Sequence, residues 1–525
     1  MSESTKASPS PSIVPVEEEK LYRGVSTIPL WRLYLLVFAL VLHFICNSGA
    51  IQSNNVAVGF IAQDLKFEEL QIQWIQSAYQ LSSGCLLLLF VPLCDRLGAR
   101  SIAIFAAGFY TIWAIACANA KTPNQFIIFR ALQGVGACAG IPAAFSILGQ
   151  VLPVIEGSGF RALILSIYSA GAPLGSGLGT VIGGLATQYS AIQWRGIYAA
   201  FAGINGLSCI LLLITCPPSP TKIVPGGVDY AGAGLITVSL TLIIFCLSQG
   251  PAVGWHTGYV VALLVVGCVL LPVFVAFEIW LERKGSTPML RMSNFTRGRY
   301  LAMNALGLIG FASFVTWDYY AGLYYQQIQG QEAVQVMLRY MPQSLFAFLA
   351  APAATFLLQH ISTQLVFQFG ALSAAMSGLI FAVSHVDDTY WNGAQFLSFA
   401  LGITGACFVY CSGMLYSVSV VVPEEQSAAG GLFQVMTSLA SAVGLVFSSI
   451  VANAHTSTTE PDKSFRYGFW VSVAYGLFAA VAAIPLLWGI GVLNKTGETA
   501  RVEALVAHHH EKEVFDKHAE QPVSV

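Results

Sequence analysis

The stretch Gln71–Arg100 reads QIQWIQSAYQLSSGCLLLLFVPLCDRLGAR, and its reading decides the fold. An apolar segment runs into Cys94-Asp95-Arg96-Leu97-Gly98-Ala99-Arg100, and a second apolar segment follows at once. A bilayer core of about 30 Å takes about 20 apolar residues of helix, so both segments read as membrane spans. Helices suit lipid because each span satisfies its own backbone hydrogen bonds. The turn between them, acid-base-glycine-base, has two readings. It is a water-facing loop whose arginines set orientation, or a hinge that locks two helix bundles together. Gly98 permits the tight reversal in either case.

The same pattern extends over almost the whole chain. It has 525 residues, 56% of them hydrophobic and 10% charged, against about 25% charged in soluble domains. A β-barrel would show short alternating segments instead of long apolar runs. The fold expected is therefore an all-α polytopic membrane protein embedded in a lipid bilayer. The formal charge of -2 and the absence of a basic tract leave no case for a nucleic-acid partner. Eleven cysteines sit almost entirely in apolar runs without a CxxC pair, and read as small packing residues. No cofactor or metal is expected; His508-His509-His510 belongs to a solvated, charged tail. The first thirty or so residues lack a basic start and an apolar core, so the first span itself is expected to direct insertion.

Fourteen spans are counted, the first over 32–58. Basic residues in short loops orient them. With the N-terminus in the cytoplasm, inner loops carry Arg96, Arg100, Arg161, Lys222, Arg283, Lys284, Arg291, Arg297 and Arg299. Outer loops carry Lys66, Lys121, Arg195, Lys463 and Arg466, with Arg339 at an outer helix edge. The sequons at Asn294 and Asn494 then face the cytoplasm and stay unmodified; sugar on Asn294 would overturn this orientation. The first and ninth spans each run into a glutamine-rich outer loop, another span and a short inner turn. That repeat divides the chain into tail 1–31, a six-helix bundle 32–216, a linker 217–298 with two extra helices, a second bundle 299–491, and tail 492–525. Repeated halves commonly hold their binding site at the interface near the membrane midplane.

Several polar or small residues stand out inside the spans. Asp95, with Arg96 and Arg100, can pair with a basic group or cap a neighbouring helix. The matching second-half turn, Gln359-His360-Ile361-Ser362-Thr363, carries no acid or arginine. Neutralising Asp95 is therefore expected to matter far more than replacing His360. Arg130 lies just inside the fourth span near Gln133, and a charge there is costly unless paired or wet. It holds a polar or anionic group, tunes a nearby carboxyl, or snorkels to the outer interface. In the fifth span Gly171, Gly175, Gly179 and Gly183 recur every four residues, with Pro173, Gly177 and Gly184 added. Such a run lets another helix approach closely and suggests a seam between the halves. Asp318 is flanked by Trp317, Tyr319, Tyr320, Tyr324 and Tyr325. It is a proton carrier, or a wet acid within an outer aromatic belt. Asn47, Gln52, Asn54 and Asn55 of the first span line a watery path or bond neighbouring helices, and His43 reads as a packing histidine. The candidate cavity is drawn from Asn47, Gln52, Asn55, Tyr79, Gln133, Tyr168, Trp317 and Gln434.

Together these residues resemble the major facilitator superfamily, and within it the fungal fourteen-spanner drug:proton antiporters of the aminotriazole-resistance type. The resemblance covers roughly residues 30–490. Leu93, Asp95, Arg96, Gly98 and Arg100 match the loop signature G-x-L-a-D-r-x-G-r-r, with Val91 at its first glycine. Arg130-Ala131-Leu132-Gln133-Gly134-Val135-Gly136 matches R-x-x-q-G-x-g, whose arginine is associated with proton transfer in relatives. Gly175, Gly179, Gly183 and Gly184 match the antiporter signature G-x-x-x-G-P-x-x-G-G, with Thr180 at its proline. Val228-Asp229-Tyr230-Ala231-Gly232 is similar to a D-x-x-G opening of the seventh helix. Bacterial relatives begin with L-D-x-T-x-x-N-V-A-L-P; here Asn55-Val56-Ala57-Val58 remains, Ala50 replaces the acid and Gly59 the proline. The resemblance implies two six-helix bundles plus two inserted helices. It also implies a monomeric, proton-coupled exporter of amphipathic small organic molecules, xenobiotics or a secondary metabolite, in a plasma or vacuolar membrane. Arg130 and Asp318 are then the coupling residues, and Asp95, Arg96, Gly98 and Arg100 the inner gate. A facilitator or importer of a small solute is the main alternative. A membrane enzyme would show a His/Asp or His/Glu cluster at one face, and a transporter-like sensor a long signalling extension.

Overall fold

The computed structural model describes residues 29–68, 71–151, 164, 167–168, 170–218, 229–284, 298–384, 390–391, 394–421, 426–454 and 462–492. Among them the chain forms fourteen helices. The first six are α1 (Leu30–Leu65), α2 (Trp74–Leu97), α3 (Ala99–Ala118), α4 (Pro123–Val151), α5 (Gly171–Tyr189) and α6 (Arg195–Thr215). Two more follow, α7 (Tyr230–Val253) and α8 (Gly258–Arg283). The last six are α9 (Gly298–Leu323), α10 (Ala333–His360), α11 (Thr363–Val383), α12 (Gln395–Ser419), α13 (Gln426–Ala454) and α14 (Asp462–Leu486). Thirteen of them carry an apolar stretch long enough to cross a membrane; α5, over its described residues Gly171–Tyr189, does not. The sequons at Asn294 and Asn494, the His508–His510 run, and Arg161, Lys222, Arg291 and Arg297 lie outside the described residues.

Within the first six helices α1 packs on α5 and α6, α2 on α4, and α3 on α4 and α6. Within the last six α9 packs on α13 and α14, α11 on α12 and α14, and α10 on α12. The two groups meet through α2 with α13, α5 with α10, and α1 with α9. Helices α7 and α8 pack on each other, and α7 reaches both α2 and α13. Val261, Val265, Val266 and Val269 of α8 are exposed, as lipid-facing side chains should be. The inserted pair therefore flanks the α2–α13 contact.

Local chemistry sets the ends. Gly98 sits between α2 and α3 with φ 84°, in the left-handed region that favours glycine, so the chain reverses there at little cost. Asp229 caps α7, its Oδ1 accepting the Gly232 N–H at 2.7 Å. Helix α1 runs seven residues past the span read from hydropathy, to Leu65. Asp64 in that outer turn forms an ion pair with Arg195 (2.7 Å) and accepts the Trp194 indole N–H (3.0 Å), which stabilises a turn too polar for lipid.

Candidate transport site

A cavity of about 170 Å³ lies where the two groups of helices meet. Its wall takes Asn47, Gln52 and Asn55 from α1, Gln76 and Gln80 from α2, and Phe311, Phe314 and Asp318 from α9. Tyr410 of α12 and Gln434 of α13 face each other across a 2.7 Å hydrogen bond on the same wall. Amides, hydroxyls and aromatic rings dominate, and Asp318 supplies the carboxyl.

The structure places Asp318 inside the protein, 4% exposed, rather than in a wet belt. Trp317, Tyr319, Tyr320, Tyr324 and Tyr325 are buried with it. The Asn55 amide donates to its Oδ2, which joins α1 to α9. The Tyr340 hydroxyl donates to its backbone carbonyl at 2.6 Å, and Gln52 and Gln343 stand beside the carboxyl. Such a carboxyl touches the cavity and both bundles at once.

Two turns further out, α9 passes into a π-helical turn, Tyr324–Ile328, that carries Gln326. Its Oε1 accepts the Gly59 N–H at 2.6 Å and its Nε2 donates to the Asn55 carbonyl at 3.0 Å. These are the two backbone groups that pair in an ideal helix turn, so the Gln326 amide bridges the α1 ladder itself. Gly59 stands where the resembling pattern has proline, and it uses the N–H that proline lacks. A Cβ on Gly59 would lie 2.7 Å from Gln326 Oε1, and one on Gly322 would lie 2.6 Å from the Asn55 carbonyl oxygen. Close approach of α1 and α9 thus depends on both glycines. Gln188 of α5 adds a second outer link, donating to Glu332 (2.6 Å) and accepting the Val334 N–H (2.9 Å). Ser449 donates to Gln73 at 3.1 Å. All these links lie in the outer half as oriented by loop charge. Replacing Gln326 by Leu is expected to raise labelling of a cysteine placed at Gln188 by an impermeant maleimide about tenfold, the effect of losing roughly 1.4 kcal/mol of net hydrogen bonding.

Arg130 is fully buried, which rules out snorkelling. Its guanidinium donates to Gln133 Oε1 (2.7 Å) and the Ile75 carbonyl (3.4 Å) and lies 4.3 Å over the Tyr79 ring. It is not on the cavity wall. Tyr79 stands between, its hydroxyl donating 2.7 Å to Asn47 Oδ1, and Asn47 lines the cavity. Of the eight cavity candidates, Asn47, Gln52, Asn55 and Gln434 line this space. Tyr79 and Gln133 sit one layer behind. Tyr168 stacks on Phe44 at 5.0 Å, and Trp317 packs against Phe399 at 5.1 Å with Gly402 beneath it. Polar patterning along one helix does not reveal which face its neighbours cover.

The glycine run of α5 divides between two faces. A Cβ on Gly175 would lie 2.5 Å from the Ile45 carbonyl oxygen, and one on Gly183 would lie 3.0 Å from Ser53 Cα. Gly179 would meet the Gly49 carbonyl, and Gly171 would meet Phe44 at 3.1 Å. The four-residue stripe therefore packs on α1 inside the first bundle, which corrects the reading of it as a seam between halves. Gly177, facing Ser344, and Gly184, facing Met337, meet α10 of the other half. Pro173 lies in the first turn of α5, where its missing N–H costs little.

At the inner turn, the Asp95 side chain lies outside what the structure describes. Arg96 donates to the Tyr230 hydroxyl at 3.0 Å and lies 5.3 Å over its ring; Arg100 donates to the Leu213 carbonyl at 3.3 Å. The turn thus docks on the start of inserted helix α7 and the end of α6. His360 is exposed and bonds the Phe356 carbonyl of its own helix at 2.9 Å. His43 bonds Asn205 at 2.9 Å and packs over Gly140, as a structural histidine does. Sequence reasoning missed Gln326, Tyr410, Gln76 and Gln80. The spacing Asp318-Gly322-Gln326, matched by Asn55-Gly59, was the available signal for the first.

Two helix bundles facing each other across a cavity are the architecture of a secondary transporter. Residues 40–445 match the model of the Major Facilitator Superfamily, and the chain belongs to that family. It is similar to the low affinity ammonium transporter of Saccharomyces cerevisiae, 24% identical, with 81% of this chain and 82% of the relative covered. It is also similar to the aminotriazole resistance protein of the same yeast, 23% identical with 84% and 80% covered. Among solved structures, a peptide transporter POT in complex with sulfate superimposes with a TM-score of 0.65 at 16% identity, covering 90% of this chain and 97% of that one. The protein is thus a multi-pass membrane transporter of small molecules.

Proposed function

We propose that the protein is a proton-coupled exporter of amphipathic small organic molecules, with Asp318 as the group that takes the proton. The observation that carries this reading is the position of Asp318: its carboxyl lines the cavity and accepts a hydrogen bond from Asn55 across the bundle interface. Protonation there changes both the charge of the cavity and a link that holds the outer side closed. A ligand shifts a two-state equilibrium only by binding the states unequally, and this group meets that requirement. Phe311, Phe314 and Tyr410 suit an apolar cargo body, while the amides and Asp318 suit neutral or cationic polar groups. Arg130 acts through Tyr79 and Asn47, and the bundles are taken as 32–216 and 299–491. The resistance named for the aminotriazole relative supports export.

Uptake of a small solute is the second reading, favoured by the small cavity and by the ammonium transporter among the relatives. Untargeted comparison of exported compounds with and without the protein, before and after collapse of the proton gradient, separates the two. Export predicts a compound whose outward flux needs both the protein and the gradient. Inward flux of a small solute that persists without the gradient would replace this reading with the second.

A further inference from the structure

The guanidinium of Arg130 is buried without a counter-charge: it forms no ion pair among the described residues, and its Nη2 reaches no protein acceptor. Arginine cannot shed its charge, and a buried charge is stable only when paired or hydrogen-bonded. The rings of Tyr79 (4.3 Å) and Tyr198 (5.8 Å) compensate only in part. Two further donors in the same knot lack a protein acceptor, Gln133 Nε2 and Asn54 Nδ2. Gln133 spends its oxygen on Arg130, and Asn54 spends its oxygen on the Tyr198 hydroxyl at 2.7 Å. Arg130 and Gln133 are 0% exposed and Asn54 is 1% exposed. Arg130 Nη2, Gln133 Nε2 and Asn54 Nδ2 are therefore three unmet donors beside one positive charge, while the unmet acceptor on α2, Gln76 Oε1, belongs to a residue of the cavity wall.

We infer that Arg130, Gln133 and Asn54 hold a small monovalent anion of halide size. The site lies one layer behind the cavity wall, separated from it by Tyr79 and Asn47, and is distinct from the cargo space. Its occupancy neutralises the charge that α4 buries and so controls how much positive field reaches the Asn47 side of the cavity. Aromatic rings cover the guanidinium, which favours a compact anion over a carboxylate-bearing cargo.

The test uses the full-length protein in lipid nanodiscs, in gluconate, chloride or bromide at equal ionic strength. Chloride and bromide are expected to raise Tm saturably by about 1–3 °C over gluconate. Crystals grown in bromide should show an anomalous peak beside Arg130. Because Arg130→Ala can fail to fold, Asn54→Asp is the informative variant. It puts a carboxylate on the Tyr198 side of the guanidinium and still accepts the Tyr198 hydroxyl. It should have the same Tm in all three salts and no bromide peak at this site. Equal Tm of the unmodified protein in all three salts, or scattering there that matches water only, overturns the proposal. A halide effect that survives unchanged in Asn54→Asp overturns it as well. Neither readout depends on transport, so the result stands apart from the proposed export function.

Discussion

Replacing Asp318 by Asn is expected to lower proton-driven efflux by about 5–150-fold, the range spanned by a coupling free energy of roughly 1–3 kcal/mol. Asparagine keeps the shape and mimics the protonated acid, so the Asn55 contact is weakened as protonation would weaken it, while the titrating group is lost. The variant should fold, bind cargo and exchange labelled cargo down its own gradient. What it loses is the response to the proton gradient: efflux by the unmodified protein should fall as the outer pH is raised, whereas Asp318→Asn should show a flat profile. The checking measurement is cargo flux from proteoliposomes with imposed pH gradients of both signs. An unchanged dependence on the gradient removes Asp318 from the mechanism. The expectation rests on its place, with the carboxyl on the cavity wall and across the interface at the same time.

The second large effect is structural. Gly179→Leu should destabilise the protein by about 3–5 kcal/mol, near the upper end for single substitutions. Even the first carbon of a side chain at residue 179 would run into the Gly49 backbone of α1, and a backbone cannot rotate aside as a side chain does. The helices must separate along a contact that organises the whole first bundle, which overpacking penalises. Gly177→Ala is the control, because its new carbon would meet Ser344 Cβ at an ordinary 3.4 Å. Thermal unfolding and the monodisperse fraction on size-exclusion chromatography should fall for Gly179→Leu and stay near the starting value for Gly177→Ala. Equal losses in both would show that residue 179 is not the critical contact.

The inserted helix pair has a mechanical place as well as a topological one. The turn between α2 and α3 docks through Arg96 on Tyr230, at the start of α7. Asp229 caps that start, and a Cβ on Gly232 would collide with the Asp229 carboxyl and lie 2.7 Å from Glu278 Oε1. The D-x-x-G pattern thus makes room for two acids where α7 and α8 begin and end. Tyr230→Phe removes the hydrogen bond to Arg96 and leaves the ring, so it is expected to change cargo flux by no more than about threefold, whereas Arg96→Gln, which loses both, should reduce flux further.

Hydropathy alone determined that this chain spans a membrane many times, because the need for about 20 apolar residues per crossing is local and additive along the sequence; the grouping into two six-helix halves with an inserted pair came from the loose repeat and the family resemblance. Motifs added the superfamily, since a tight turn at Gly98 or a cap at Asp229 is also settled within a few residues. The tertiary structure alone decided which faces meet. Asn55 and Asp318 are 263 residues apart in sequence and joined by a hydrogen bond in space. The Gln326 amide completes a turn of a helix 271 residues away. The same long range put the glycine stripe on α1 instead of the other half, set Arg130 behind Tyr79, and decided for Asp318 between an outer aromatic belt and the cavity. A lipid-embedded helix can be apolar on every side, so its sequence does not mark which side faces protein; only the packed neighbours do.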